Sequence, residues 1–233
     1  MDRRKWNRLS DEFDDRVFNI ARTDLTGMVG RYVNSVPASP KSSVLVDLGC
    51  GTGSFIKKFG HRFHEIVGVE FASRIIARAK KSLGKSANIG WLTMDIVKAS
   101  KVIGPRADLT TCLNVVTSPN AAQRKRMWAS ISRTTKPRGY ALIVVPSLES
   151  EMMVHALGGA TKPTARGIVR IDADARQKFY RRDELIAELA RHGLKTRRIG
   201  RVFYPWSEEG LRKPRAVGNR HPWGWICLAQ RAA

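Results

Sequence analysis

A glycine-rich turn between an apolar segment and a helix is the first place in this sequence where residue spacing indicates chemistry. The string 44–53 reads Val-Leu-Val-Asp-Leu-Gly-Cys-Gly-Thr-Gly, so that Gly49, Gly51 and Gly53 stand at alternate positions. Glycine permits the positive φ angles of a tight turn, and its missing side chain lets a ligand lie against the backbone. The start of the following helix adds unpaired N–H groups beside that ligand. The turn therefore predicts a binding site for a small cofactor.

Two common classes of cofactor-binding turn do not fit this spacing. A dinucleotide-binding turn follows the pattern G-x-G-x-x-G, whose last glycine would fall on Ser54. A phosphate-binding Walker loop needs Lys and then Ser or Thr after the last glycine, but Gly53 is followed by Ser54 and Phe55. The string is distinguished instead by an acid, Asp47, two residues before the first glycine.

With that acid in place, the string resembles motif I of the class I S-adenosylmethionine-dependent methyltransferases. The resemblance runs from about residue 10 to residue 145. It implies a Rossmann-like α/β fold with a seven-stranded, mostly parallel sheet of order 3-2-1-4-5-7-6, helices on both faces and an N-terminal helical cap. It also implies that S-adenosyl-L-methionine is the cofactor and lies against Asp47, Gly49, Cys50, Gly51 and Gly53.

Glu70 and Phe71 supply the second element of the resemblance. Glu70 follows the apolar segment 66–69, at the expected end of the second strand. The resemblance implies that its carboxylate accepts hydrogen bonds from both ribose hydroxyls and that Phe71 packs on the adenine. The alternative for Glu70 is an ordinary exposed acid at a strand end.

The third and fourth elements follow the next two strands. The resemblance implies that Asp95 accepts a hydrogen bond from the adenine amino group, with Ile96 or Met94 as an apolar wall. A helix-capping aspartate is the alternative for Asp95. Residues 113–115 are expected to line the methionine portion of the cofactor, with Asn114 as the polar contact.

Apolar runs alternate with amphipathic stretches, which is the pattern of a parallel sheet with crossover helices. The chain 1–233 is interpreted as a single domain, with 1–36 as an N-terminal helical cap. Residues 147–180 are too long for an ordinary connection and are predicted to be an irregular lid or substrate-facing insertion. The predicted strands are 44–48, 65–69, 89–93, 107–113, 140–145, 195–204 and 225–229, and the predicted helices are 54–60, 73–83, 121–134 and 181–191.

Composition excludes several classes of protein. Hydrophobic residues make up 42% and charged residues 27% of 233, as in a soluble globular protein. No apolar run approaches the ~20 residues that span a bilayer, and the amino terminus lacks the apolar region of a signal peptide. Cys50, Cys112 and Cys227 form no CxxC pair, which argues against disulfides and a metal site. A cytoplasmic location, without membrane association, is expected.

The charge is the unusual feature of the composition. There are 42 Lys and Arg against 20 Asp and Glu, which gives a formal net charge of +22. Such a surface attracts polyanions and would support nucleic-acid binding through phosphate contacts. A general solubility bias is the alternative explanation, because charge alone describes association and not chemistry.

The methyl acceptor is less well determined than the cofactor. Amino-directed DNA and RNA enzymes resemble one another in an [N/D]-P-P-aromatic string after strand four, but here residues 114–117 read Asn-Val-Val-Thr. No Pro-Cys dipeptide of the cytosine C5 enzymes occurs. Each candidate for the acceptor site has packing or surface exposure as its alternative role. These candidates are His155, Tyr180, Tyr204, Trp206 and His221, and the cap residues Phe13, Phe18 and Arg22 are candidates to face the cofactor.

Three functions remain open at this point. The leading one is a methyltransferase acting on a small molecule, because a helical cap and an insertion suit a closed pocket. The second is an RNA or protein methyltransferase that uses the basic surface, and the third is a non-catalytic S-adenosylmethionine-binding protein. No catalytic residue and no oligomeric state are assigned from the sequence.

Overall fold

A central sheet organises the computed structural model, which describes residues 3–8, 10–13, 17–158, 164, 166–172 and 175–233. Each strand follows a run of apolar and β-branched residues. The strands are β1 (Val44–Leu48), β2 (Glu65–Glu70), β3 (Ile89–Thr93), β4 (Ala107–Leu113), β5 (Thr135–Pro146), β6 (Ile168–Asp172), β7 (Ala175–Lys178), β8 (Leu194–Phe203) and β9 (Trp223–Arg231).

Seven of these strands form one sheet, in the order β3-β2-β1-β4-β5-β9-β8. The pairs among β1 to β5 are parallel, whereas β9 is antiparallel to both β5 and β8. When only the strands of this sheet are counted along the chain, the order is 3-2-1-4-5-7-6. The predicted fold class and strand order are therefore confirmed.

Helices cover both faces of the sheet, as the many buried residues of parallel strands require. Asn120 begins one of them, since its side chain accepts a hydrogen bond from Gln123 N at 3.0 Å. The helices are α1 (Arg3–Arg8), α2 (Ile20–Thr23), α3 (Met28–Asn34), α4 (Ser54–Phe59), α5 (Ser73–Leu83), α6 (Ile96–Ile103), α7 (Ala121–Thr134), α8 (Leu148–Ala156) and α9 (Arg182–Arg191). No helix within the described ranges is long and apolar enough to cross a membrane.

The two faces of the sheet bury two separate apolar layers, because successive strand residues point to opposite sides. Leu45 faces the layer that contains Ile56 of α4 and the cap. Its neighbour Val46 faces the other layer, with Trp128 of α7 and Leu185 of α9. All of these side chains are buried, so the site at the strand ends rests on a rigid support.

The cap is fastened to the sheet next to the glycine turn. Asn19 begins α2 by accepting a hydrogen bond from Ala21 N, and its amide nitrogen donates to Ser54 Oγ at 2.9 Å. On the other side, the Arg78 guanidinium of α5 donates to the carbonyl oxygen of Ser10. The predicted helical cap is thus present and is held against the helices that follow β1 and β2.

Residues 147–180 are more regular than predicted. They begin with α8, whose first turn is capped by Ser147 accepting from Ser150 N at 3.1 Å, and they continue with the separate hairpin of β6 and β7. The prediction of an irregular segment was wrong. The apolar residues of α8 do not lie along one side of the helix, so the sequence lacks the amphipathic pattern from which a helix is predicted. Residues 159–163, 165 and 173–174 lie outside the described residues. The lid function of the insertion stays a prediction.

Candidate functional site

The glycine turn joins the end of β1 to the start of α4 at the carboxyl edge of the sheet. Gly49, Gly51 and Gly53 have φ angles of 79°, 54° and 81°, which side chains other than glycine rarely adopt. The N–H groups of Gly49 and Cys50 both donate to the carbonyl oxygen of Val69, at 2.8 and 3.0 Å. The turn is therefore held against the neighbouring strand β2. The predicted turn is confirmed.

Two of the three glycines leave room for protein side chains. A Cβ at Gly49 would lie 2.3 Å from Val115 Cγ2, and a Cβ at Gly53 would lie 2.4 Å from Leu83 Cδ1. Their contribution to a ligand site is thus to let the chain turn closely past β4 and α5. The thiol of Cys50 is buried in the apolar layer on the cap side, so its side chain contributes to packing.

Gly51, the middle glycine, lies under the cap. A Cβ at this position would lie 3.2 Å from two ring atoms of Phe13. Phe13 is buried and packs with Ala72 and Ile75, and its ring centroid is 5.8 Å from that of Trp6. The cap residue expected to face the cofactor therefore covers the centre of the turn.

Asp47 is a buried carboxyl group with one oxygen unused. Its Oδ1 accepts a hydrogen bond from Thr111 Oγ1 at 2.6 Å, whereas Oδ2 has no hydrogen-bond partner among the described residues. Burial raises the pKa of Asp47 to about 7, the Thr111 hydrogen bond opposes that rise, and the nearby charge of Glu70 adds to it. A cationic or hydrogen-donating ligand would satisfy this group.

Glu70 lies beside the turn and is also buried. Its Oε1 accepts a hydrogen bond from Ala72 N at 2.9 Å. Burial raises the pKa of Glu70, while hydrogen bonds from the backbone of Ala72, Phe71 and Gly51 oppose that rise. Glu70 is only 6% exposed, so the alternative of an ordinary exposed acid at a strand end does not fit. The hydrogen bond from Gly51 places this carboxylate directly beside the glycine turn.

Asp95 follows β3 at the same edge of the sheet. Met94 N donates to the carbonyl oxygen of Glu70 at 3.0 Å, which keeps the ends of β2 and β3 together. The side chain of Asp95 caps α6 by accepting from Val97 N at 2.9 Å and is exposed. Ile96 is buried in the core layer that faces α7. The capping role is observed, and the contacts of Asp95 and Ile96 with adenine stay predictions.

Asn114 occupies an unusual backbone conformation just after β4. Its φ of 58° is in the left-handed region, where residues other than glycine are uncommon and often functional. Its backbone N donates to Val144 O at 2.8 Å. Its side-chain Nδ2 is buried and has no hydrogen-bond partner in the part of the chain that the structure describes. Asn114 thus presents an unused donor just after β4, the strand that pairs with β1 and its Asp47.

The candidates for the acceptor site separate into different environments. Tyr180 is buried, and its hydroxyl donates to Val116 O at 2.8 Å, so it belongs to the core. Trp206 is buried too, and its Nε1 donates to Arg220 O at 3.0 Å. His221 is partly exposed, and its buried Nδ1 has no partner among the described residues. Their assignment to an acceptor site stays a prediction.

Tyr204 connects the cap with the loop between β8 and β9. Its ring centroid is 4.6 Å from that of Phe18, and its hydroxyl donates to Glu209 Oε1 at 2.7 Å. Burial raises the pKa of Tyr204 and that of Glu209. Arg22, the third cap candidate, is exposed, and His155 on α8 is partly exposed.

Glu151 was not singled out from the sequence. It lies on α8, and burial followed by the charge of Glu209 raises its pKa to about 7. A carboxyl group with this pKa can take up or release a proton at neutral pH. The sequence carries no signal for it, because the burial of a helical glutamate depends on tertiary packing.

Comparisons with known proteins agree with this geometry. A family model described as a methyltransferase domain matches residues 45–139. An uncharacterised methyltransferase of Mycobacterium leprae is 28% identical over 166 residues, which are 67% of this chain. The chain spans 60% of the length of the curated relatives it matches.

Solved structures share the fold at low sequence identity. A 1,6-didemethyltoxoflavin-N1-methyltransferase of Burkholderia thailandensis, with S-adenosylhomocysteine bound, has a TM-score of 0.66 at 14% identity, covering 99% of this chain and 87% of its own. An S-adenosylmethionine-dependent methyltransferase of Mesorhizobium loti has a TM-score of 0.62 at 16% identity, covering 86% and 96%.

The fold and the glycine turn are those expected of a class I S-adenosylmethionine-dependent methyltransferase. The chain is thus similar to the methyltransferase-domain family over residues 45–139, and it shares its fold with solved S-adenosylmethionine-dependent methyltransferases. Asp47 Oδ2 and Asn114 Nδ2 are buried and have no hydrogen-bond partner among the described residues. S-adenosylmethionine fits these residues, because its cationic amino group and its carboxylate can supply the missing donor and acceptor.

Proposed function

We propose that this chain transfers the methyl group of S-adenosylmethionine to a small-molecule acceptor. The observation that carries the proposal is the contact between Phe18 and Tyr204, whose ring centroids are 4.6 Å apart. This contact joins the cap to the chain that follows β8. A cap held down at this point is proposed to close the acceptor site, and a closed site suits a small substrate better than a polymer.

Four residues are proposed to hold the cofactor through specific groups. Glu70 accepts hydrogen bonds from the ribose hydroxyls, because its buried carboxylate ends β2 beside Gly51. Asp47 Oδ2 accepts from the cationic amino group, and Asn114 Nδ2 donates to the carboxylate at the same end of the molecule. Phe71 packs on the adenine.

The proposed contribution of the protein to the reaction is placement and exclusion of water. When bound, the cofactor supplies a methyl group on an electrophilic sulfonium, which a nucleophile attacks in line. The chain has to hold the acceptor against that methyl group, and such positioning is a large part of catalysis in two-substrate reactions. An acceptor that must lose a proton also needs a base, and no residue is assigned to this role.

One of the solved neighbours supports an acceptor of this size. The Burkholderia thailandensis protein is described with 1,6-didemethyltoxoflavin bound beside S-adenosylhomocysteine. That observation concerns a structural neighbour at 14% identity, so it supports the class of acceptor and not its identity.

The test is to follow a radiolabelled methyl group into a cell extract. The chain is incubated with methyl-labelled S-adenosylmethionine and the extract, which is then separated by ultrafiltration. We expect label in the small-molecule filtrate with the wild type and not with Glu70→Ala. Label in the retained RNA or protein would contradict a small acceptor. Absence of transfer by a wild type that binds the cofactor would favour the non-catalytic alternative.

A further inference from the structure

A wide groove lies on the outer side of the glycine turn, between the cap, α4 and α5. Its volume is about 1240 Å³, and Thr52 and Ser54 are part of its wall. The described residues that line it do not include Asp47 or Glu70. The groove therefore adjoins the proposed cofactor site but is a different surface.

The groove is more basic than the surface as a whole. Across the chain, cationic residues outnumber acidic ones 42 to 20, whereas the described lining contains five cationic residues and one acid, Asp11. The excess of positive charge is thus concentrated here. The cationic lining residues are Arg22 from the cap, Lys57 and Lys58 from α4, and Arg78 and Lys81 from α5.

Three of these cations are available to a ligand. Lys57, Lys58 and Lys81 are exposed, and in the described ranges no acidic side chain forms an ion pair with any of them. The Lys58 ammonium donates to Ala21 O at a long 3.4 Å and lies 5.5 Å from the centroid of the Phe59 ring. Their charges come from two helices that both line the groove, so the positive potential is not confined to one residue.

We propose that this groove binds the phosphodiester backbone of a single-stranded nucleic acid. A groove with several exposed positive charges from different elements suits a strand of phosphates, whereas a single anion would need a compact, buried cluster of donors. The described lining contains no aromatic side chain on which bases could stack. Binding is therefore electrostatic and independent of sequence.

This surface goes beyond the proposed methyl transfer and does not depend on it. A nucleic acid in the groove serves as a partner, and the methyl acceptor remains a small molecule. The two proposals are tested separately, because Lys57 and Lys81 are not among the residues assigned to the cofactor.

The experiment uses fluorescence anisotropy of a fluorescein-labelled oligouridylate with the full chain at several salt concentrations. The double variant Lys57→Ala/Lys81→Ala removes one charge from each of the two helices. The matched control, Lys101→Ala/Lys125→Ala, removes two exposed lysines from α6 and α7, which lie on the other face of the sheet. Cofactor binding, measured on both variants, is expected to equal that of the wild type.

Each phosphate contact to a single strand contributes about 0.7 to the slope of log affinity against log salt. The groove variant is therefore expected to lose about 1.4 from that slope, which is about a 25-fold loss of affinity at roughly 0.1 M salt. The control variant should retain most of the wild-type affinity, and a matching oligothymidylate should bind as well as the oligouridylate. Equal losses of oligonucleotide affinity in the groove variant and the control variant would overturn the proposal. Displacement of the oligonucleotide by inorganic phosphate, at a concentration equal to that of the phosphates in the strand, would also overturn it.

Discussion

The ring of Phe13 lies 3.2 Å from the position that a Cβ on Gly51 would occupy. The N-terminal cap therefore rests on the middle glycine of the glycine turn, beside the buried carboxylate of Glu70. A Cβ at residue 51 would require the Phe13 ring to shift by a few tenths of an ångström. If the turn holds the cofactor as proposed, the cap forms part of that site.

The first prediction concerns Gly51→Ala and its matched control Gly210→Ala. Both glycines have left-handed φ angles, 54° and 67°, so each substitution should cost about 1–2 kcal/mol in the free energy of unfolding. A Cβ at Gly210 has no atom within 4 Å, unlike one at Gly51. Thermal denaturation should show similar losses of stability, while calorimetry should show lost S-adenosylmethionine affinity only for Gly51→Ala. Equal cofactor affinity in the two variants would count against the proposed role of the turn.

The second prediction concerns Asp47 and pH. The pKa of Asp47 is about 7 in the folded protein, against an ordinary value of 3.8. A cationic cofactor favours the ionised carboxylate, so S-adenosylmethionine affinity should fall as the pH drops below 7, by at most about tenfold per pH unit. Asp47→Asn should bind more weakly at pH 8 and lose this pH dependence. Binding that is equally pH-dependent in Asp47→Asn would show that another group titrates.

The same pKa shift predicts how stability depends on pH without cofactor. The pKa of Asp47 is higher in the folded state than in the unfolded state. Asp47 therefore makes its full favourable contribution to the free energy of unfolding below the unfolded pKa of 3.8, and this contribution is lost as the pH rises through about 7. The difference in free energy of unfolding between Asp47→Asn and the wild type should therefore shift in favour of the variant between pH 4 and pH 8. Urea denaturation at several pH values measures it, and a difference that is constant with pH would contradict the raised pKa.

Another prediction concerns the hydrogen bond from Tyr204 to Glu209. Tyr204→Phe keeps the ring against Phe18 but leaves the partly buried carboxylate without this donor, which should lower the free energy of unfolding by about 1–3 kcal/mol. Tyr140→Phe is the control, because the hydroxyl of Tyr140 has no hydrogen-bond partner among the described residues. Thermal denaturation measures both variants. Equal stability of the two would show that the bond to Glu209 contributes little.

Much of the fold could be predicted because parallel strands leave a strong pattern. The bounds of β1, β3 and β4, and those of α7, agree with the predicted ones. β1 and β4 are mostly buried and appear in the sequence as short apolar runs, whereas the residues of β3 are only partly buried or exposed. α6 was not predicted, although Asp95 and Gly104 mark its two ends. Its eight residues are too few for a periodic pattern to be recognised.

Other features depend on contacts between distant parts of the chain. The raised pKa of Asp47, the orphan donor of Asn114 and the position of Phe13 over Gly51 all arise when residues far apart in sequence are packed together. The sequence indicated these residues as candidates, but it could not show that Gly49 and Gly53 make room for protein side chains. A glycine required by packing and one required by a ligand have the same sequence pattern.

The most direct test of the account is the S-adenosylmethionine affinity of Glu70→Ala and Glu65→Ala, measured by titration calorimetry. The two glutamates stand at opposite ends of β2, and Glu65 forms a surface ion pair with Arg106 that contributes little to stability. If Glu70 holds the ribose beside the glycine turn, Glu70→Ala should lose measurable binding while Glu65→Ala binds as the wild type does. Wild-type affinity in a folded Glu70→Ala would contradict the account.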